Sequence, residues 1–432
     1  MTFLPCFKHL PKGFRVAPRR PTGWILATLA LAGVDAVHAT ADLSLKLETT
    51  LGHNSNLFRD DATSSPAASP RNPVGTSTRT HSLDLGVGIP LVSEDTQLVL
   101  STRLGTAHFG SASDINHQTM DNQARLTWRY SDLVRGELAV GQSQTPYPFD
   151  DTYPKLDEIT RRWHMGGVTL QITPDLSIPL LVGSETAGYQ DRDVHGRLDV
   201  ERQHAQAGLL YKSPTGSTVQ VGLARSRYTY PQRLTTPEGQ IAFTERNTDL
   251  FADMVWNISP LTQMGGRVAS RQRKDNLDLQ GTSRSTVYRL WASHSISPMW
   301  RVDAQWWHQP IEVTDPAVAS SSLQGSAMGV SWTPSHKLTT VLQYQRDRQS
   351  DTLLPGRSAG DPLNPRTQRT QLRVQYQLDS GLNLFAEAAR EQRTRRNTDQ
   401  AHQSMFRLGV DYTYENLTGA AARNVRPSWP FQ

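Results

Sequence analysis

The sequence predicts an all-β chain: a transmembrane, antiparallel, up-and-down β-barrel of about eighteen strands, with sixteen as the alternative count. Three observations carry this expectation. The chain opens on a secretory leader, later segments of about ten residues alternate in polarity, and short turns alternate with long polar links.

In the leader, Lys8, Lys12, Arg15, Arg19 and Arg20 precede an apolar core from Trp24 to Val34. Small-residue cleavage options follow at Val37-His38-Ala39 and Ala39-Thr40-Ala41. That order of charge, short apolar core and small residues is an export signal; the competing reading is a buried amino-terminal helix. The core is well short of the ~20 helical residues that span a bilayer. Residues 1–41 are therefore expected to be a signal peptide, with the mature chain starting at Thr40 or Asp42. No later run reaches the length of a transmembrane helix.

Composition fits a barrel better than a helical membrane protein. Of 432 residues, 37% are hydrophobic, and the mean hydropathy is −0.52. A barrel shows lipid only every second residue, so its average polarity stays near that of a soluble protein. The chain has 45 basic and 40 acidic residues; removing the leader's five basic residues and Asp35 leaves 40 against 39, a net +1. The pI of 9.3 thus belongs mostly to the leader and gives no argument for a nucleic-acid partner. The one cysteine, Cys6, lies in the leader with no apolar stretch before it, so neither disulfides, a thiolate metal site nor lipid attachment is expected.

Eight short turns punctuate the rest: Pro90 to Asp95, Ser131 to Val134, Pro174 to Ser177, Ser213 to Gly216, Ser259-Pro260, Ser297-Pro298, Pro334 to Lys337 and Asp379-Ser380-Gly381. Their starts are 37 to 46 residues apart. Pro, Gly, Ser and Asp serve there by fixing φ, permitting positive φ or closing local hydrogen bonds. The flanking segments alternate. Leu83, Leu85, Val87 and Ile89 enclose Asp84; Leu98, Leu100 and Leu104 flank Arg103; Ala124, Leu126, Trp128 and Tyr130 enclose Arg125 and Arg129. Leu250, Ala252, Met254, Trp256 and Ile258 share a phase, as do Leu372, Val374, Tyr376 and Leu378, and Phe406, Leu408, Val410, Tyr412 and Tyr414. Period-two alternation gives each strand one apolar and one wet face.

Polar links are expected at 52–78, 107–118, 146–160, 189–196, 231–243, 273–283, 313–321, 351–365 and 393–400. Short turns alternating with long links match periplasmic turns and extracellular loops of a barrel in the bacterial outer membrane. Eight hairpins plus a first strand near Asp42 to Leu51 and a last near Met405 to Tyr414 give eighteen; the ambiguous phase of 161–173 and 322–333 keeps sixteen open. A secreted β-propeller also repeats near forty residues, but its blades need four short strands and a fixed signature, whereas two long strands are read here.

Aromatics on the apolar phase (Trp128, Tyr130, Tyr211, Trp256, Trp300, Trp306, Trp332, Tyr376, Tyr412 and Tyr414) are expected in headgroup-level girdles. Trp307 and Phe385 have the opposite phase and are candidates to stack on sugar. The wet phase, expected to line the lumen, carries Lys46, Glu48, Arg103, Arg125, Arg129, Glu137, Asp249, Asp253, Arg267, Arg289, Asp303, Arg373, Glu387, Arg407 and Asp411. Mixed charge there reads either as a salt-bridged, solvated interior or as a polar track for a hydrophilic solute.

Catalytic chemistry is not legible. The thirteen His form no recognisable arrangement with a nucleophile, and no Walker loop, GxGxxG turn or zinc spacing occurs. His53 near Asp60 and Asp61 is only a faint cation site, and Asp150-Asp151 reads as a solvated loop tip. Neither an enzyme nor a cofactor or metal is expected.

The segment LETTLGHNSNLFRDD resembles the opening of the exopolysaccharide-operon outer-membrane barrels, the EpsL-like β-barrel porin group. Asn56, Leu57, Phe58 and Arg59 match its Asp-Asn-Leu-Phe-Arg motif, and Ser55 replaces the usual acid. The resemblance implies export of a secreted polysaccharide alongside periplasmic and inner-membrane machinery. One departure is that residues 415–432 follow Tyr414, where the family should end on an aromatic strand; this extension is expected to be irregular or lumenal. The domain reading is thus 1–41 signal peptide, 42–414 barrel and 415–432 extension, with outer-membrane lipid as partner. Three functions stay open: a polysaccharide conduit, a general or substrate-specific uptake porin, and a structural or adhesive barrel. For a conduit, the links near Asn56 to Asp61 and at 351–365 should narrow the pore, with Phe58 either an inward anchor or an exposed aromatic.

Overall fold

The computed structural model describes residues 42–58, 75–91, 95–147, 155–236, 239–277, 282–311, 318–353, 365–394 and 400–415. The expected signal peptide, Arg59 to Asp61, Asp150-Asp151 and the extension beyond Glu415 lie outside them.

Eighteen strands follow one another as antiparallel neighbours: β1 (Asp42–Asn54), β2 (Thr76–Pro90), β3 (Gln97–Phe109), β4 (His117–Ser131), β5 (Val134–Pro146), β6 (Glu158–Thr173), β7 (Leu176–Tyr189), β8 (Val200–Lys212) and β9 (Thr218–Thr236). They continue as β10 (Gly239–Ser259), β11 (Thr262–Asp275), β12 (Ser283–Ser297), β13 (Trp300–Ile311), β14 (Val318–Ser335), β15 (Leu338–Leu353), β16 (Arg366–Asp379), β17 (Leu382–Thr394) and β18 (Gln400–Glu415). β1 pairs with both β2 and β18, from Ser44 opposite Glu415 to Asn54 opposite Met405, so the sheet closes and leaves no edge. The sixteen-strand alternative falls, because Glu158–Thr173 and Val318–Ser335 are both strands.

All eight expected turns sit between paired strands, and local chemistry explains them. The Ser131, Ser259 and Ser297 hydroxyls accept the backbone N–H groups of Leu133, Leu261 and Met299 at 3.2, 3.2 and 3.3 Å. Asp379 accepts the N–H of Ser380 at 2.7 Å, and Gly381 takes φ 81°, a conformation that favours glycine.

Sequence alternation becomes radial direction. Leu43, Leu47 and Leu51 on β1, Leu223 on β9, Leu250 on β10 and Leu408 on β18 point outward and are exposed. An exterior this apolar is tolerable only in lipid, where a closed sheet satisfies every backbone group internally. Trp256, Trp300, Trp332, Tyr376, Tyr412 and Tyr414 stand on that outer phase near the short-turn rim, and the Trp300 and Trp332 rings stack at 5.8 Å. The strands have 12 to 21 residues, against the ~9–11 that cross a bilayer. They therefore extend past the membrane on the long-link side.

One expected link is corrected. Residues 231–243 continue β9 and β10, with Thr236 opposite Gly239 and a register shift between Ile241 and Phe243. Its Pro, Thr and Gly content suggested a loop, but the two arms are adjacent and each supplies the other's backbone partners. Short helical turns occupy parts of two other links, at Ser113–Ile115 and at Arg192–His195 with Gly196–Leu198.

Candidate functional site: the lumen and its mouth

The wet phase of the strands forms the inner wall. Strand register places every expected lumen residue on that face, and many lie directly opposite a complementary charge: Asp84 with Arg103, Asp249 with Arg271, Asp253 with Arg267, Arg373 with Glu387 and Glu387 with Arg407. Arg271 grips both oxygens of Asp249 at 2.8 and 2.7 Å, and Arg267 reaches Asp253 at 3.2 Å. Arg103 donates to Asp84 at 2.8 Å, and Arg125 to Glu137 at 3.1 Å. Lys46 lies 3.4 Å from Glu48, Arg129 3.6 Å from Asp95, and Arg301 2.9 Å from Asp303. Asp411 accepts from Asn383 at 2.9 Å. Opposite charges directly across an antiparallel pair are the favourable arrangement.

Two of these pairs are strongly asymmetric toward water. Arg103 is 55% exposed and Asp84 15%; Arg407 is 40% exposed and Glu387 7%. In these two pairs the carboxylate lies low against the wall and the guanidinium reaches over it, whereas Arg125 and Glu137 are evenly exposed and the Arg267–Asp253 pair is reversed. Arg289, on the inner phase between Arg267 and Trp307, is also exposed.

Trp307 and Phe385 face inward, but neither offers an open stacking platform, which corrects that expectation. Trp307 lies opposite Gly325 and Phe385 opposite Gly409, each ring filling the place of the missing side chain. The other face of Phe385 is covered by Arg373, whose guanidinium is 4.2 Å from the ring centroid. Trp163 with Gly141, Phe251 with Gly222 and Trp291 with Gly265 repeat the pairing. An aromatic laid across a cross-strand glycine protects the bare backbone and pins the register.

Long links build the mouth. Asn56, Leu57 and Phe58 are buried, and Leu57 and Phe58 pack with Ala112 and Ile115, with Leu156 alongside. The Ser55 N–H donates to the Ser404 carbonyl and the Ser404 N–H to the Ser55 hydroxyl, both at 2.9 Å, while Gln403 donates to the Asn54 side chain at 3.0 Å and the Asn56 carbonyl at 2.9 Å. Phe58 is thus an anchor, not an exposed aromatic. Tyr147, Tyr189, Leu198, Val200, Tyr230 and Phe243 form a second apolar cluster. Beside it, buried Asp157 meets His195 Nδ1 at 2.7 Å and accepts the N–H groups of Glu158 and Asp191 at 2.8 and 2.9 Å. Burial raises the pKa of the Asp199 carboxyl from its ordinary value, although accepting the Tyr189 N–H works the other way.

Arg233, from the β9–β10 extension, is almost fully buried and donates to the carbonyls of Val318 and, at 3.4 Å, Arg197. Four strands separate β9 from β14, so this contact reaches across part of the mouth. Sequence reasoning missed Arg233, because nothing local distinguishes it. The link 351–365, expected to narrow the pore, lies almost wholly outside the described residues.

A closed barrel with an apolar exterior, an aromatic rim and a charged interior is a bacterial outer-membrane β-barrel. Solved structures of similar fold include outer-membrane porins. A BenF-like porin from Pseudomonas fluorescens Pf-5 matches with a TM-score of 0.50 and 10% identity, over 87% of this chain and 99% of that one. OccK2 (OpdF) of Pseudomonas aeruginosa, in complex with glucuronate, matches at 0.49 and 12%, over 88% and 99%. OccK9 (OpdG) from the same organism matches at 0.49 and 11%, over 87% and 98%. No protein-family model matches the sequence, and no curated protein is detectably similar.

Proposed function

We propose that the protein is a selective uptake channel for small hydrophilic anions, carboxylates above all. The supporting observation is an asymmetry at one group of inner-wall residues: Arg103, Arg289, Arg373 and Arg407 present their donors to water while Asp84 and Glu387 are drawn back. A planar guanidinium matches a carboxylate in two-point geometry. Cations spaced along the wall let an anion pass between weak sites without being held, the condition for conduction. The folded mouth then serves as a size filter.

The motif at Asn56 to Arg59 favours a second reading, a conduit for secreted exopolysaccharide working with periplasmic export machinery. Packing supplies another reason for three of its residues: Asn56 is tied to β18, and Leu57 and Phe58 fill an apolar cluster. Proteoliposome swelling separates the readings. The channel reading expects faster entry of small monocarboxylates than of neutral sugars of equal size, and normal polysaccharide secretion when the gene is deleted. Equal rates, with secretion lost on deletion, would favour the conduit.

A further inference from the structure

On the inner face of β10 and β11 the cations are matched, Arg271 to Asp249 and Arg273 to Glu245 at 3.0 Å. On the outer face of β9 to β12 they are not. Arg227 stands directly opposite Arg246, and Arg246 directly opposite Lys274. Arg225 precedes Arg227 by one outward position, and Arg284 flanks the row opposite Gln272. All five are exposed, and among the described residues none is ion-paired. Glu201, the acid nearest this row on the outer phase of β8, lies one pair further on, opposite Thr229.

Three like charges side by side across a sheet repel one another unless an anion lies among them. The row's position indicates which anion. Leu223 and Leu250, 58% and 62% exposed, oppose each other in the apolar band; Arg225 is the next outward residue beyond Leu223, and Arg246 the second beyond Leu250. A step of two residues along a strand is about 6.8 Å, so the cations begin where acyl chains give way to headgroups. The pattern recurs elsewhere on the barrel, where Arg348 stands opposite Arg366 with outward Arg346 and Arg390 beside them.

We propose that Arg227, Arg246 and Lys274, flanked by Arg225 and Arg284, bind the phosphate groups of a phosphorylated lipid in the leaflet on the long-link side. The site is independent of what the lumen carries. Guanidinium forks take phosphate oxygens two at a time, and the lipid's chains lie against the leucines below.

The test uses the mature protein in detergent, titrated with a bisphosphorylated glucosamine-disaccharide lipid or its dephosphorylated counterpart and read by native mass spectrometry. Retention of the phosphorylated lipid alone is expected. The triple variant Arg227→Gln/Arg246→Gln/Lys274→Gln should lose about fivefold in affinity per charge removed. A control removing three charges from the opposite rim, Arg135→Gln/Lys212→Gln/Lys337→Gln, should bind as the parent does. Heat-modifiable gel mobility verifies folding, and Arg246→Gln alone replaces the triple variant if that one does not fold. Equal retention of the dephosphorylated lipid, or undiminished binding by a folded variant, would overturn the proposal.

Discussion

Phe385 lies directly opposite Gly409 across the β17–β18 pair, and its ring occupies the space a side chain at Gly409 would need. Gly409→Leu should therefore force the ring off the wall at a cost of about 1–3 kcal/mol, the usual penalty of overpacking. A urea titration followed by heat-modifiable mobility should show a lower midpoint. An unchanged midpoint would mean the ring is free to move.

This pair also shows what the sequence conceals. Alternation assigns Phe385 and Trp307 to the wet face, and a lone aromatic there suggests a sugar platform. Its purpose is visible only in the partner: Gly409 lies 24 positions away and Gly325 eighteen, and register is a property of two strands together. The strands and turns were legible, because alternation and Ser, Pro and Gly signals are local. The mouth was not, since Phe58, Ile115 and Leu156 come from three separate links. Pro231 and Gly239 made a paired extension read as a loop.

Leu372 points to lipid and Arg373 to the lumen. Leu372→Arg places a charge in hydrocarbon at about 2–4 kcal/mol near the midplane, whereas Arg373→Leu removes one from water. The first should sharply reduce the folded fraction after refolding into vesicles, and the second should leave most of it. Equal yields would reverse the assigned faces.

Asp157 collects three donors beneath the second apolar cluster. Asp157→Ala strands them, at about 1–3 kcal/mol for each left unsatisfied. Limited proteolysis should cut the links around residues 147–157 and 190–199 faster than in the parent, with the transmembrane strands still protected. Unchanged cleavage would show that the apolar cluster alone holds these links.

Arg233 ties the β9–β10 extension to Val318. Arg233→Ala should widen the mouth, seen as higher single-channel conductance and increased uptake of bulky antibiotics, with no loss of folded barrel. Conductance equal to the parent's would place the narrowest point elsewhere.

The account rests on the exposed guanidinium groups of Arg103, Arg289 and Arg407 and the withdrawn carboxylates of Asp84 and Glu387, and ion selectivity reads that property directly. In a planar bilayer under a potassium chloride gradient, the reversal potential should show chloride permeating faster than potassium. Replacing Arg103, Arg289 and Arg407 with Gln should bring the two permeabilities toward equality. A parent channel that prefers potassium, or a preference for chloride that survives the triple replacement, would contradict it.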